Sequence, residues 1–175
     1  MRLTLTEFLS LDGVSEGPGS PDEDTTDGFT RGGWFVPHLD ETFMQHVVSW
    51  IDGADGFLFG RRTYEGFAQA WPLVTDPDDP VATTLNGLPK YVASQSLAAA
   101  EWGPATILSG DVPSHVAQLK RQPGRELQTH GVIAIQFHHL GGIRRTCRDD
   151  SRPDRRRSVR RGARCVGALG ATVAT

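Results

Sequence analysis

A chain of 175 residues can bury one compact core but is too short for two ordinary domains. Its 38% hydrophobic and 22% charged residues match soluble globular proteins and exclude a fibrous or low-complexity chain. The net charge of −3 joins two unlike parts: residues 1–140 hold 8 Lys and Arg against 18 Asp and Glu, whereas residues 141–175 hold ten arginines, no lysine and three aspartates. No apolar run reaches the roughly 18 residues that a membrane span requires, so no membrane partner is expected. Met1–Glu7 lacks the basic and apolar regions of a secretion signal, which points to a cytoplasmic protein. Cys147 and Cys165, 18 positions apart, suggest neither a disulfide framework nor a zinc site.

Along the chain, Arg2 to Leu9 alternates apolar and polar residues and reads as a strand ending at Ser10-Leu11-Asp12-Gly13. Gly13 to Pro37 is rich in glycine, proline and acids, which favours a long irregular loop. Asp40 can cap a helix carrying Phe43, Val47 and Ile51, with Leu39 placed to staple onto Met44. Gly56-Phe57-Leu58-Phe59 has the continuous apolar character of a strand buried on both faces. It runs into Gly60-Arg61-Arg62-Thr63 and a helix through Tyr64, Phe67 and Trp71.

Asp76 to Pro80 reads as a turn, Lys90-Tyr91-Val92-Ala93 and Ala105-Thr106-Ile107-Leu108 as strands, and Asp111 as the cap of a helix with Val112, Val116 and Leu119. Glu126-Leu127-Gln128-Thr129 is a further strand, closing at His130-Gly131. Strands alternating with helices predict an α/β three-layer sandwich around a mainly parallel sheet.

The strongest chemical signal is Gly60-Arg61-Arg62-Thr63 between a strand and a helix. A helix start offers unpaired N–H groups and partial positive charge, glycine permits close backbone approach, and the arginines add donors, so an anion suits this turn. Solvated arginines beside an ordinary turn are the competing reading. Asp12 is the one acid singled out near the chemistry, able to position a substrate or polarise a water, against the alternative of a turn aspartate before glycine. Trp34, Phe35 and Trp71 can form a flat wall for a heterocycle or belong to the core. His130, His138 and His139 lack companions at metal-ligand spacing, so no metal is expected.

In their order, these stretches resemble the dihydrofolate-reductase-like superfamily, and within it the reductase domain of riboflavin biosynthesis. The resemblance covers about residues 1–131. It rests on Ser10-Leu11-Asp12-Gly13, Gly32-Gly33-Trp34, Gly60-Arg61-Arg62-Thr63, Asp76 to Pro80, and Leu88-Pro89-Lys90-Tyr91 running on to Ser94. It implies NADPH as cofactor, with Gly60, Arg61, Arg62, Thr63 and Gly131 at its phosphates and Ser94 and Gln95 at its adenosine end. Gln95 stands where the family commonly has a basic residue. Ser10, Asp12, Gly13 and Trp34 would face the nicotinamide and a small-molecule substrate. The implied activity is hydride transfer to a small heterocycle or carbonyl compound, as in reduction of a ribosylaminopyrimidine. Members of this class often pair as homodimers. The His-x-Glu and Pro-Cys-x-x-Cys zinc signature of a deaminase is absent from the sequence.

Residues 132–175 do not resemble the family. Arg-rich residues 144–164 show neither hydrophobic period, so an irregular tail is expected. Arginine excess without lysine fits an out-of-frame reading of a GC-rich gene. The competing reading is a basic arm that binds nucleic acid or an acidic partner, which would make the chain a non-catalytic nucleotide-binding module.

Overall fold

The structure is a computed structural model; it describes residues 1–10 and 12–131, together with the backbone of 167–172. The elements are β1 (Arg2–Leu9), α1 (Glu41–Asp52), β2 (Ala54–Gly60), α2 (Arg61–Ala70), α3 (Pro80–Gly87), β3 (Lys90–Ala93), β4 (Ala105–Leu108), α4 (Val112–Arg121), β5 (Glu126–His130) and β6 (Gly167–Thr172). The sheet order is β4-β3-β2-β5-β1-β6. The first five of these strands run parallel, and β6 pairs antiparallel with β1. β5, the last strand of the parallel set to be made, lies between β1 and β2.

Alternation along the strands separates two cores. Phe57, Phe59 and Val92 point to one face, where they meet Ile51 of α1, Tyr64 of α2, and Val81 and Leu85 of α3. Leu58 points to the other, with Leu3, Leu108 and Leu127, and meets Val116 and Leu119 of α4. Helices on both faces of a parallel sheet make three layers, as the alternation of elements predicts. Phe57, Leu58 and Phe59 are fully buried, each contributing about 1.5–3 kcal/mol of hydrophobic stabilisation.

The helix starts follow from local chemistry. Asp40 Oδ1 accepts from the Phe43 amide at 2.7 Å, and Asp111 Oδ1 accepts from Ser114 N at 3.3 Å. Leu39 and Met44, positioned as a hydrophobic staple, both remain exposed. One helix escapes the sequence reading. Asp79 Oδ1 accepts from the Val81 and Ala82 amides at 2.8 and 3.0 Å and starts α3, with Pro80 at its first position. The Asp-Pro pair read as a turn is therefore also a cap, and Val81, Ala82 and Leu85 fill the core behind it.

Residues 13–37 form the expected irregular loop, holding only a short helical turn at Thr26–Gly28 and part of another at Val36–His38. The expectation of a wholly irregular tail is corrected at Gly167–Thr172. Its backbone pairs with β1 from Thr4↔Thr172 to Leu9↔Gly167. β1 has β5 on one side only, and its other edge offers a row of backbone donors and acceptors that an uncharged Gly-Ala-Leu-Gly-Ala-Thr segment can satisfy. The Arg-rich residues 144–164, His138, His139, Cys147, Cys165 and Leu11 lie outside the described residues.

Candidate functional site at the strand ends

Because five strands run parallel, their carboxyl ends share one edge of the sheet. Read across that edge, Gly110 follows β4, Ser94 and Gln95 follow β3, Gly60 to Thr63 join β2 to α2, Gly131 follows β5, and Ser10 to Gly13 follow β1. With strands about 4.8 Å apart, Ser94 and Ser10 terminate strands roughly 14 Å apart. The stretches singled out in the sequence thus line one edge, where ligands of open α/β sheets collect.

At its centre, β2 passes into α2 without an intervening loop. Gly60 is the N-cap residue, with φ −75° and ψ 162°, and no side chain caps the helix. The first-turn amides of α2 therefore have no side-chain acceptor, which suits an anion. Gly131, at φ +78°, comes against this turn. A Cβ there would lie 2.8 Å from Thr63 Oγ1, so glycine is required both by backbone conformation and by the approach of β5 to α2. Arg62 is exposed. Arg61 is already engaged: its Nε donates to Glu65 Oε1 at 2.7 Å and an Nη donates to Ser96 Oγ at 2.8 Å, tying α2 to the loop after β3.

The flanking residues spend their side chains on local order. Ser94 Oγ accepts from the Ser96 and Leu97 amides at 3.2 and 3.0 Å. Gln95 clamps Gly110 through Nε2 to its carbonyl at 3.2 Å and Oε1 from its amide at 3.3 Å, joining the ends of β3 and β4. Ser10 Oγ donates to Asp12 Oδ1 at 2.5 Å and accepts from Val14 N at 2.9 Å, while Gly13 turns the chain at φ +87°. Asp12 is exposed on this turn.

Trp34 Nε1 donates to the Glu16 carbonyl at 2.8 Å, folding the long loop back on itself. Its ring meets Phe35 edge-on at 5.8 Å; Phe35 in turn stacks on Phe8, near the end of β1, at 4.7 Å. Phe35 is buried, and Trp71 packs against Phe67 in the core under α2 and α3, so neither forms part of a wall at the strand ends. A groove of about 490 Å³ runs along α2, lined by Tyr64, Glu65, Ala68, Leu97 and Trp102 among others.

Lys90, in the stretch leading to Ser94, is wholly buried. Its ammonium donates to the carbonyls of Asn86, Leu88 and Gly103 at 2.9–3.2 Å and lies 4.4 Å from the centre of the Trp102 ring. Burial brings its pKa down to about 8. This is a brace for the loops beneath the groove.

Two ionisable groups were not assigned to the site by sequence. Glu7 lies on β1, and burial raises its carboxyl to about 7, with Oε2 buried and unpartnered. His130 ends β5 among the rings of Phe57, Phe59 and Phe67, with centroids 5.9–6.3 Å away. Burial lowers its pKa to about 4, and Nε2 has no hydrogen-bond partner. The signal for Glu7 was present: in Leu3, Leu5, Glu7, Leu9 an acid occupies an apolar phase of the alternation.

Among the described residues no group of three or more His, Cys, Asp or Glu could hold a metal ion, and no helix is long and apolar enough to cross a membrane. Fold and edge together define an α/β protein with five parallel strands, whose carboxyl ends carry the start of α2 and Gly60, Gly110 and Gly131. Neither a protein-family model nor a curated protein matches the chain.

Proposed function

We propose that this chain is a dihydrofolate-reductase-like, NADPH-dependent reductase that transfers hydride to a small heterocyclic or carbonyl substrate, in the manner of the riboflavin-biosynthesis reductases. The observation that carries this reading is the contact of Gly131 with Thr63 beside the uncapped start of α2. It brings two strand ends together where a diphosphate needs backbone amides and no intervening side chain. In this reading the amides of residues 60–63 and the Arg62 guanidinium bind the phosphates, while Arg61 holds the loop after β3 close by through Ser96. Ser94 and Gln95 order the edge on the adenosine side. The Ser10 to Gly13 turn and Trp34 border the substrate side. When bound, the reduced nicotinamide supplies the hydride, and the chain supplies orientation and electrostatics.

Titration with NADPH, followed by its fluorescence at low and high salt beside a duplex-DNA control, tests this. Saturable dinucleotide binding that persists at high salt supports the reductase. DNA binding that falls steeply with salt, without saturable NADPH binding, would instead support the non-catalytic module, with its basic arm acting through the ten arginines of residues 141–175.

A further inference from the structure

The groove along α2 lies apart from the strand-end residues and has a chemistry of its own. It encloses about 490 Å³, with Glu65, Ala68 and Pro72 on the helix side and Leu97, Ala99 and Glu101 on the side of the loop between β3 and β4. Tyr64 and Trp102 line its base, and both are buried. Their polar atoms are already satisfied: the Tyr64 hydroxyl accepts from the Trp102 amide at 2.8 Å and donates to the Trp102 carbonyl at 3.1 Å, while Trp102 Nε1 donates to Asn86 Oδ1 at 2.8 Å. A base of this kind favours aliphatic contact and offers no hydrogen bond. The rim differs, because it carries two acids and no lysine or arginine lines the groove. Glu65 accepts from Arg61 Nε at 2.7 Å, which offsets part of its charge, so the exposed Glu101 exerts the stronger pull on a cation.

The walls are also fixed in place. Arg61 holds Ser96 at one end of the loop at 2.8 Å, and the Lys90 ammonium holds the Gly103 carbonyl at the other end at 3.2 Å. A surface ordered in advance loses little conformational entropy when a partner settles on it.

We infer that this groove is a docking surface for a basic peptide segment of another protein. An aliphatic side chain, or the stem of an arginine or lysine, lies along Ala68, Leu97 and Ala99, and the cation reaches Glu101 at the rim. Charge complementarity selects this occupant. Residues 1–140 hold 8 Lys and Arg against 18 Asp and Glu, so the field around the groove draws cationic partners and repels acidic ones. A groove of this size anchors one or two side chains, far less than the roughly 1,200 Å² of a lasting interface, so the complex is transient and salt-sensitive. The inference is independent of the reductase reading.

The test uses the full chain and a short fluorescein-labelled peptide that alternates leucine and arginine, with a leucine and glutamate peptide as control. Fluorescence anisotropy is followed at low and high salt for wild type, Glu101→Lys and Ala99→Phe. Both positions are exposed, and melting temperatures check that the variants fold. Glu101→Gln and Ala99→Leu take their place if either does not. Wild type is expected to bind the basic peptide saturably and to leave the acidic one free. Glu101→Lys and Ala99→Phe should each weaken binding about tenfold at low salt, the first with loss of most of the salt dependence and the second with that dependence kept. Absence of saturable binding up to about 1 mM peptide overturns the inference. So does equal binding of the acidic control, or wild-type affinity in both variants, which would put the peptide elsewhere on the acidic body. A concentration-dependent dimer in sedimentation velocity that disappears in Glu101→Lys would assign the groove to a second copy of the chain and overturn the peptide partner. NADPH titration of the same proteins should be unaffected by either substitution, so the reductase reading stands or falls separately.

Discussion

The two faces of the sheet end differently at the same edge. Under α1, α2 and α3 the strand ends are filled by rings: Phe57 and Phe59 stack at 5.6 Å, Phe67 and Trp102 close over them, and the half-buried His130 packs among them in its neutral form. On the α4 face the aliphatic core of Leu3, Leu58 and Leu127 gives way toward the edge to Thr129 and Glu7. Each face also holds buried polar atoms without a partner: Gln128 Oε1 and His130 Nε2 among the rings, Glu7 Oε2 and Thr129 Oγ1 on the other side. The comparison separates two ways of ending a core, with aromatic rings on one face and polar side chains on the other.

The largest break in that comparison comes from the aromatic face. Phe59→Ala removes a fully buried ring and is expected to cost about 3–5 kcal/mol in urea unfolding, while dinucleotide affinity of the remaining folded protein changes little. Next comes Gly131→Ala, which forces a Cβ into a positive-φ position and against Thr63 Oγ1. It should cost about 2 kcal/mol or more of stability and, unlike the first change, also abolish saturable NADPH binding in the fluorescence titration.

The smallest effect is in pH dependence, where the two faces oppose each other. The raised pKa of Glu7 means that the folded state holds a proton that the unfolded chain has released. Its contribution is therefore greatest below about 4.5 and is lost as pH rises toward 7. The lowered pKa of His130 means that the unfolded chain binds a proton the folded state refuses. That contribution is present above about 6.5 and is lost as pH falls toward 4. The two slopes offset each other between pH 4.5 and 6.5 in wild type. Glu7→Leu should leave stability rising with pH across that window, and His130→Leu should leave it falling. Melting temperatures at pH 4.5, 5.5 and 6.5 check this; parallel profiles for the two variants would remove the distinction between the faces.

Most of the fold was legible in the sequence because its signals are local. The Asp40 and Asp111 caps, the apolar run at 56–59 and the alternation of Arg2 to Leu9 each need only a few neighbouring residues to be understood. α3 was hidden because eight residues with two threonines give a weak helical period, and its Asp-Pro start also spells a turn. The edge holding Ser10, Gly60, Ser94 and Gly131 could be anticipated from their strand-end positions. Their partners could not: the clasp of Gln95 on Gly110 and the Gly131–Thr63 contact depend on which strands become neighbours. Glu7 was passed over because an acid in an amphipathic strand looks solvent-facing until its phase is compared with Leu3 and Leu5.

The insertion of β5 between β1 and β2 also sets an order of assembly. Leu3 can meet Leu127 only after more than a hundred intervening residues have been synthesised, whereas β2, β3 and β4 pair with near neighbours in the chain. Local pairings incur less loop-closure entropy and form early, so on the ribosome β1 waits with both flanks bare until the β5 segment has emerged. The strand-end edge that joins β1, β5 and β2 is thus among the last parts of the molecule to come into being, and a nascent chain halted before β5 would lack it altogether.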